Sequence, residues 1–377
     1  MVAWKTDKLS EVCEIQRGGS PRPIENFITD AEDGINWIKI GDVAKGAKYI
    51  TSTREKIRHE GAHRSRTVCE GDFLLSNSMS FGRPYILRTS GCIHDGWLVL
   101  RYDKNQLTED YLYHVLSSDF VYAQFVKFAV GAVVKNLNSE VVKSVTIPLP
   151  PLSEQIRIAA ILDQADGLRV KRREALAQLD SLTQSIFMGM FGNPATNPKG
   201  WQSCKFGSIG DNQDAQRIPV KSSDRDGRKG EYPYYGASGI IDWVDEYIYD
   251  GERLLIGEDG ANLIARSTPI AYMATGKFWV NNHAHVIASN GRANLRFLEF
   301  YIEQLDLKPY ISGSAQPKLN RSNLDRIPVY LPPLELQDTF AERISAVEKL
   351  KILSQKGLSE FDSLFTSLQH RAFRGEL

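Results

Sequence analysis

Cysteine is scarce in this sequence, and the cysteines that occur are scattered. There are four among 377 residues, at Cys13, Cys69, Cys92 and Cys204, and none belongs to a CxxC pair. Structural zinc sites are commonly built from such pairs, so this spacing argues against structural zinc. Isolated cysteines also suit a reducing compartment, and we therefore expect a cytoplasmic protein.

Long hydrophobic runs are missing as well. No run approaches the ~20 apolar residues that a membrane-spanning helix requires, and the first residues show no stretch that resembles a signal peptide. The hydrophobic fraction of 42% is nevertheless sufficient for real cores. A length of 377 residues predicts two or three domains.

The chain has no excess of charge of either sign. Its 46 Lys and Arg residues balance 46 Asp and Glu residues, which gives a formal net charge of +0. A globally basic chain, which would suggest nucleic-acid binding, is therefore excluded. If the protein binds DNA, the positive charge must be local or a partner must supply much of it.

The common catalytic motifs are also lacking. The sequence has no GxxxxGK[ST] phosphate loop, no GxGxxG turn, and no Asn-Pro-Pro-aromatic or Asp-Pro-Pro-aromatic tetrad of the kind that amino-methyltransferases use. His283 and His285 form an HxH pair without other clustered ligands, and we interpret them as outward-facing residues of a strand. Glu258 and Asp259 lie between glycines, as loop residues do. We therefore predict no catalytic set and no metal site.

What the sequence does contain is a long internal repeat. The Leu-Pro-Pro-Leu sequence at 149–152 recurs 182 residues later at 331–334. The same offset relates Gln155 to Gln337, and Phe191 to Phe373. A fixed self-similarity of this kind indicates two copies of one structural unit.

Each copy of the repeat predicts a long helix, over 152–190 and 334–372. Apolar residues recur in both at alternating steps of four and three, a heptad seam that favours a second helix against it. The seam residues are Ile161, Ala165, Leu168, Ala175, Leu179, Leu182 and Ile186, and then Val347, Leu350, Phe361, Leu364 and Leu368. Small or polar residues interrupt both seams near the middle, which would help an antiparallel pair to approach closely. At about 1.5 Å per residue, each helix spans roughly 50–60 Å and could act as a ruler. Two ordinary core helices are the alternative.

Two blocks remain outside the helices, a first block at 1–148 and a second block at 199–330. Short strand-like runs alternate with Gly, Pro and Asp turns in the first block, and both blocks contain a helical stretch, at 109–127 and 295–305. We therefore expect an α/β fold with two similar domains of small irregular sheets, joined by two long antiparallel coiled-coil helices. Segments 149–198 and 331–377 hold these helices, with a linker after the first. This arrangement should have pseudo-twofold symmetry and bring the C-terminus near the first block.

In combination these features resemble the specificity subunit of type I restriction–modification systems. The resemblance covers nearly the whole chain. It rests on the two Leu-Pro-Pro-Leu openings with their glutamines and long helices, on the block starts at Trp4 and Trp201, and on the ending at 371–377. It implies a noncatalytic subunit that reads a bipartite sequence in double-stranded DNA, one half per block, while the helix pair sets the gap and docks two modification subunits. Those subunits would bind S-adenosylmethionine and methylate adenine, and restriction subunits that use ATP and Mg²⁺ would join them in some complexes. No cofactor is expected on this chain.

Base-reading residues vary within this family, so we select candidates by loop position and side-chain chemistry. Arg, Lys, Asn and Ser on glycine-rich loops are suited to base edges and phosphates. In the first block we select Arg17, Ser20, Arg22, Lys39, Ser76, Ser80, Arg83 and Lys135. In the second block we select Lys221, Tyr235, Ser238, Glu258, Asn262 and Lys318. Glu258 could accept a hydrogen bond from a cytosine amine, and Lys135 and Lys318 could bind phosphates.

Two other functions compete with DNA recognition. One is a coiled-coil scaffold whose blocks bind protein, which predicts no sequence preference on duplex DNA. The other is a self-contained nuclease or methyltransferase, which the missing motifs disfavour. Such an enzyme would be active as the purified chain alone, with metal or S-adenosylmethionine.

Overall fold

The computed structural model describes residues 4–44, 46–77, 81–128, 137–313 and 315–377. The chain divides into two compact units. The first unit contains residues 1–173 and 356–377, and the second unit contains residues 174–355. Each unit therefore holds one block and part of each long helix.

The helices of the chain are two very long ones and nine shorter ones among the described residues. In the first block they are Leu9–Val12 (α1), His59–Ala62 (α2), Glu109–Leu116 (α3), Asp119–Phe128 (α4) and Ser139–Ser144 (α5), followed by the long helix Leu152–Phe191 (α6). In the second block they are Ser222–Arg225 (α7), Asn262–Ala265 (α8), Leu295–Gln304 (α9) and Arg321–Asp325 (α10), followed by the long helix Leu334–Arg374 (α11). The two predicted long helices are thus confirmed to within two residues at their ends.

The strands are short in both blocks. Those of the first block are Thr6–Lys8 (β1), Cys13–Arg17 (β2), Ile28–Thr29 (β3), Ile35–Ile38 (β4), Tyr49–Ile50 (β5), Glu55–Ile57 (β6), Arg66–Val68 (β7), Phe73–Ser76 (β8), Pro84–Leu87 (β9), Gly91–Ile93 (β10), Trp97–Tyr102 (β11) and Thr146–Pro148 (β12). Those of the second block are Gln202–Lys205 (β13), Gly210–Asn212 (β14), Lys229–Gly236 (β15), Gly239–Val244 (β16), Tyr249–Asp250 (β17), Arg253–Gly257 (β18), Ala271–Ala274 (β19), Lys277–Val280 (β20), Ala284–Ser289 (β21) and Pro328–Leu331 (β22).

The sheets of the two units follow one plan. The first unit has sheets ordered β1-β12, β2-β11-β8-β9-β5 and β3-β6-β4-β10-β7. The second has β13-β22, β14-β21-β18-β19 and β16-β15-β20-β17. In each unit a two-stranded antiparallel sheet joins the start of the block to its end. Parallel pairs occur in other sheets: β4 with β10 and β5 with β9 in the first unit, and β15 with β20 in the second. The expected α/β fold with small irregular sheets is confirmed.

The helical stretch predicted over 109–127 is two helices rather than one. The helix is interrupted at Ser118. The Ser118 hydroxyl accepts a hydrogen bond from the Val121 backbone N–H at 3.3 Å and donates to the Val115 carbonyl at 2.6 Å. Serine in this position is a favourable N-cap, so it ends α3 and starts α4.

The long helices run antiparallel within each unit. In the first unit the Arg157 guanidinium donates to the Leu377 carbonyl at 2.9 Å, and Arg169 pairs with Asp362 at 2.6 Å. In the second unit Lys351 pairs with Asp180 at 2.7 Å. The C-terminus does lie against the first block, because the Trp4 indole donates to the Ala372 carbonyl at 2.8 Å.

The predicted heptad seam is only partly buried. Val347 is buried, but Leu168, Leu182, Leu350 and Leu364 are 44–53% exposed. The most buried apolar residues lie instead toward the helix ends, where each helix meets a block: Ile158, Leu162 and Phe187 on α6, and Phe340, Ile344 and Ala372 on α11. Packing against the blocks therefore takes precedence over a continuous helix–helix seam. Over the described ranges, no helix combines the length and the apolar character needed to cross a membrane.

A guanidinium on α9 couples α9 to α11 in the second unit. Arg296 pairs with Glu299 at 2.6 Å and also with Glu348, so one guanidinium serves two carboxyl groups. Burial raises the pKa of Glu299 to about 7 from its ordinary 4.5; Arg296 opposes this rise, whereas Glu348 adds to it. Between pH 4.5 and about 7, Glu299 is therefore protonated in the folded state and ionised in the unfolded chain.

Replacing Glu299 with Gln is expected to raise the free energy of unfolding at pH 8 by about 1–3 kcal/mol and to change it little at pH 5. A raised pKa gives a contribution to stability that is complete below pH 4.5 and is lost as pH rises through about 7. Denaturant unfolding at both pH values measures this, with the exposed Glu342→Gln as control. Equal gains at pH 5 and pH 8 would contradict the assignment.

Candidate nucleic-acid interface

Three of the residues selected in the first block gather around one residue, Asp95. The hydroxyl of Ser20 donates to Asp95 Oδ1 at 3.0 Å, and Arg22 pairs with Asp95 Oδ2 at 3.2 Å. Arg17 Nε donates to the Asp95 carbonyl at 3.3 Å. The loop after β2 can approach this closely because residue 18 is glycine: a Cβ there would lie 2.1 Å from the His94 carbonyl oxygen. The cluster thus joins the loop after β2 to the loop before β11.

The Asp95 cluster faces solvent on one side. The side chain of Arg22 is 81% exposed and that of Asp95 is 44% exposed. Burial alone would raise the pKa of Asp95, but the Ser20 hydroxyl, a backbone hydrogen bond and the nearby His94 and Arg22 hold this pKa below its ordinary value. The ionised carboxylate therefore orients an exposed guanidinium, an arrangement suited to a phosphate or a base edge.

The remaining selected residues of the first block are dispersed. Ser76 is fully buried at the end of β8, and Lys39 pairs with Glu55 beside a different sheet. Arg83 is exposed and lies 5.7 Å from the centroid of the Tyr85 ring. Ser80 and Lys135 lie outside the described residues.

A second cluster, in the second unit, joins two of its selected residues and is largely buried, although its Lys318 side chain is 49% exposed. Glu258 pairs with Arg217 at 2.8 Å through one oxygen and with Lys318 at 3.1 Å through the other. Arg217 also lies 3.4 Å from Asp214, and Asp214 lies 2.6 Å from His285 Nδ1. We call these five residues the Glu258 cluster. Both oxygens of Glu258 are therefore already engaged in ion pairs.

The interpretation of His285 as an outward-facing residue is wrong. Its side chain is 1% exposed on β21, and its Nε2 lies 2.7 Å from the Leu319 carbonyl. Both ring nitrogens thus face oxygen atoms inside the unit. His283 is the exposed member of the pair and contacts Asp259 at 2.8 Å. The two histidines differ because only His285 belongs to the strand: β21 begins at Ala284, and His283 lies in the turn before it.

The Glu258 cluster also contains the ligand types of a metal site. Ligand atoms of Asp214, Glu258 and His285 lie within 4.8 Å of one another. Burial alone would raise the pKa of both carboxyl groups; hydrogen bonds from His285 to Asp214 and from Arg217 to Glu258 keep their pKa values below the ordinary ones. Because Arg217 and Lys318 already neutralise the carboxylates, the group is a compensated ion cluster rather than an anionic cage for a cation.

The other selected residues of the second block form loop contacts or remain exposed. Asn262 stabilises its own loop, because its Nδ2 donates to the Thr268 carbonyl at 2.9 Å and its Oδ1 accepts from the Thr268 N–H at 3.0 Å. Its Nδ2 also lies 3.5 Å from the Ser238 hydroxyl. Tyr235 is half-buried against Tyr272 and Phe278. Lys221 is exposed before α7. The selected residues of this block are therefore not one cluster.

One equivalence between the two clusters escaped the sequence analysis. The Asn77 N–H donates to the Gly96 carbonyl at 3.0 Å, and its carbonyl accepts from Leu137 at 2.9 Å. The Glu258 N–H donates to the His283 carbonyl at 2.8 Å, and its carbonyl accepts from Leu319 at 2.7 Å. Asn77 and Glu258 thus occupy the same backbone position, directly after β8 and β18. The Asn77 amide belongs to the Asp95 cluster, since it donates to the Asp95 carbonyl at 2.7 Å.

Comparison with known proteins agrees with this repeated architecture. The sequence model of the family described as Type I restriction modification DNA specificity domain matches residues 1–178 and 198–360. A putative type I restriction enzyme specificity subunit of Haemophilus influenzae is 39% identical over 134 residues, which cover 36% of this chain and only 34% of that protein. The putative type I restriction enzyme MjaX specificity subunit of Methanocaldococcus jannaschii is 23% identical over 417 residues, covering 99% of this chain and 93% of that protein.

A solved structure shares the fold. A chain from the structure described as the basis of complex assembly and conformational transition of the type I R-M system superposes with a TM-score of 0.64 at 19% identity, covering 100% of this chain and 99% of that chain. The two segments matched by the family take in most of the sequence, one in each half. The chain therefore belongs to the family of type I restriction–modification specificity subunits, the noncatalytic DNA-recognition subunits of these systems.

Proposed function

We propose that the first block, at 1–148, and the second block, at 199–330, each read one half of a bipartite target in double-stranded DNA. The long helices, in segments 149–198 and 331–377, set the number of base pairs between the halves. The protein acts in the cytoplasm, and the selected residues of each block contribute to its own half-site.

One observation carries this proposal. The two units place different side chains on the same backbone position, Asn77 in one and Glu258 in the other, with equivalent hydrogen bonds to their neighbours. The residues around them also differ, since Asp95 organises one cluster and Arg217 the other. A shared frame with different polar chemistry is what two readers of different sequences require.

The exposed cations supply the local positive charge that a chain of zero net charge needs for DNA. Arg22 and Arg83 in the first block and Lys221 in the second are exposed and suited to phosphates or to guanine edges. Arg17 is less available for a phosphate or a base, because its Nε donates to the Asp95 carbonyl. Partner subunits would supply the rest of the positive surface.

The long helices also dock two modification subunits in this proposal. Leu350, Ile352 and Leu353 on α11 are 53–65% exposed, an apolar surface that supports docking of a protein partner. The modification subunits bind S-adenosylmethionine and methylate adenine in each half-site. Restriction subunits that use ATP and Mg²⁺ join the complex when DNA is to be cut.

A base-resolution methylome of cells that express this chain with its candidate modification subunit tests the function. We expect one bipartite motif with methyladenine in each half. Replacing residues 199–330 with the corresponding block of another specificity subunit should change one half of the motif and leave the other half and the gap unchanged. Methylation that does not depend on this chain, with any modification partner, would favour the scaffold function instead.

Replacing Arg83 with Ala is expected to weaken binding at the half-site of the first block by about 1–3 kcal/mol and to leave the other half-site unchanged. Arg83 is exposed next to β9 of the first block, and its guanidinium lies 5.7 Å from the centroid of the Tyr85 ring. Competition binding of the complex to duplexes with one half-site scrambled measures each half separately, with Arg58→Ala as an exposed control. Equal losses at both halves would contradict this role.

A further inference from the structure

Two buried glutamines connect the long helices to their blocks in the same way. Gln155 lies in the first turn of α6 and Gln337 in the first turn of α11, and both residues are 0% exposed. A buried primary amide is retained at low cost only when its donors and acceptor are satisfied. The partners of these two amides are therefore informative.

In the first unit, the amide of Gln155 bridges the proline turn and the start of α3. Its Oε1 accepts from the backbone N–H of Thr108, the N-cap residue of α3, at 2.9 Å. Its Nε2 donates to the Pro150 carbonyl at 3.0 Å and to the Gln106 carbonyl at 2.7 Å. One side chain thus holds the start of α6 against the start of α3.

In the second unit, Gln337 repeats the arrangement. Its Oε1 accepts from the backbone N–H of Asn294, the N-cap residue of α9, at 2.9 Å. Its Nε2 donates to the Pro332 carbonyl at 2.7 Å. As with Gln155, the Oε1 accepts from the N-cap residue of a block helix, and the Nε2 donates to the first proline of the proline pair before the long helix.

The ionic contacts between block and helix differ between the units. In the first unit Asp163 of α6 contacts His114 at 2.8 Å and Lys48 at 3.4 Å. In the second unit Arg296 of α9 pairs with Glu348 of α11. The blocks have therefore diverged in their ion pairs and kept the glutamine bridge, which indicates a requirement that both units share and that base reading alone would not impose.

We propose that Gln155 and Gln337 are positioning residues that fix the direction in which each long helix leaves its block, and thereby the half-site spacing that the protein accepts. Apolar contacts of Ile158 and Leu162 hold α6 to the first unit, but such contacts are non-directional and tolerate small rotations. The hydrogen bonds of the glutamine amide are directional, and they join backbone groups of the block to the turn that starts the long helix, so they restrict such rotations. The link to spacing rests on the function proposed above; the fixing of direction does not.

Helix α6 is long enough for a small rotation at its first turn to displace its far end by several ångströms. The 40 residues of α6 extend for about 60 Å. A rotation of about 4° at the first turn would move the far end by about 4 Å, close to the ~3.4 Å that the DNA axis rises per base pair. Loosening the first turn should therefore relax the preference for one gap length.

The direction of the helix can be measured without DNA. Spin labels on the exposed native Cys69 and on Lys171→Cys, in a Cys204→Ser background, report the distance between the first block and α6. We expect a narrow distribution for the native junction and one at least twofold broader for Gln155→Met. An unchanged width would overturn the proposal. If Gln155→Met does not fold, Gln337→Met with labels at Asp250 and Lys349 gives the same test in the second unit.

The spacing is measured with the complete modification complex on duplexes that differ only in gap length. We expect Gln155→Met and Gln337→Met to lower the preference for the native gap over its neighbours roughly tenfold, a change of about 1.4 kcal/mol. The matched control is Gln124→Met, which removes an amide bonded to Thr146 at 2.9 and 3.0 Å; its hydrogen-bond partners in the described chain are residues of the first block. The control should keep its gap preference even if it lowers stability.

The outcomes separate the two proposals. Broader distance distributions with an unchanged gap preference would overturn the effect on spacing and keep the fixing of direction. If Gln124→Met lowered the preference for the native gap as much as Gln155→Met and Gln337→Met do, the special role of the two glutamines would be overturned. A native complex that methylates no duplex of any gap would contradict the proposed function and the spacing effect together, while the spin-label result would still decide the direction.

Discussion

Replacing Arg217 with Met is expected to lower the free energy of unfolding of the second unit by about 3–5 kcal/mol. Arg217 lies between Asp214 and Glu258, and the carboxylates of these two residues are 8% and 11% exposed. Removing the guanidinium leaves the two carboxyl groups with Lys318 as the one remaining lysine or arginine of the cluster, and Lys318 contacts only Glu258 within it. Denaturant unfolding of the variant at pH 7 measures the loss.

The pH dependence of this loss provides a second test. The pKa values of Asp214 and Glu258 are held below the ordinary ones, so their ion pairs stabilise the fold above those ordinary values and lose this contribution as pH falls. The penalty of Arg217→Met should therefore shrink from pH 7 to pH 4. The control is Arg228→Met, which breaks pairs with Asp245 and Glu246 at the surface and should cost about 0–1 kcal/mol. Similar losses for both variants would refute the assignment.

Replacing Phe187 with Ala is expected to cost about 3–5 kcal/mol, again in the second unit. Phe187 is fully buried on α6, and its ring centroid lies 5.2 Å from that of Phe191 and 5.6 Å from that of Phe340 on α11. Phe297 of α9 lies 6.1 Å away, so this one ring joins both long helices to the block. Truncation removes the apolar contacts and the aromatic pairs together.

Calorimetry of the complete chain measures the effect of Phe187→Ala. Phe120→Ala is the matched control, because the Phe120 side chain on α4 is 46% exposed and its truncation should change stability by less than about 1 kcal/mol. A loss confined to the unfolding transition of the second unit is expected. A small effect of Phe187→Ala would mean that the helix contacts the block through other residues.

The long helices were predictable because their information is local. A proline pair fixes each start, and heptad-spaced apolar residues continue without a proline until the end. Which face becomes buried was less predictable, since Leu168 and Leu350 fit the heptad but are exposed. Sequence spacing identifies an apolar stripe, whereas the partner that covers it depends on tertiary packing.

The candidate sites were predictable in part, for the same reason. Loops rich in Gly, Ser and Arg identified Arg17, Ser20 and Arg22, but Asp95, which gathers them, lies more than 70 residues away in the chain. Asn77 was missed because the repeat shifts: the glycines before β8 and β18 are 180 residues apart, at Gly71 and Gly251, whereas the strand ends are 181 apart. Alignment on the strand ends rather than on the glycines would have paired Asn77 with Glu258.

The division of the chain into units has a consequence for biosynthesis. The second unit is one uninterrupted stretch, residues 174–355, whereas the first unit needs residues 356–377, which leave the ribosome after all of the second. Domains fold as they emerge during synthesis. The second unit can therefore close its core first, while the first block, although made earlier, still lacks Phe365, Ala372 and Phe373. Maturation thus runs opposite to the order of the sequence, and the first block is the part that a nascent chain exposes longest to proteases and chaperones.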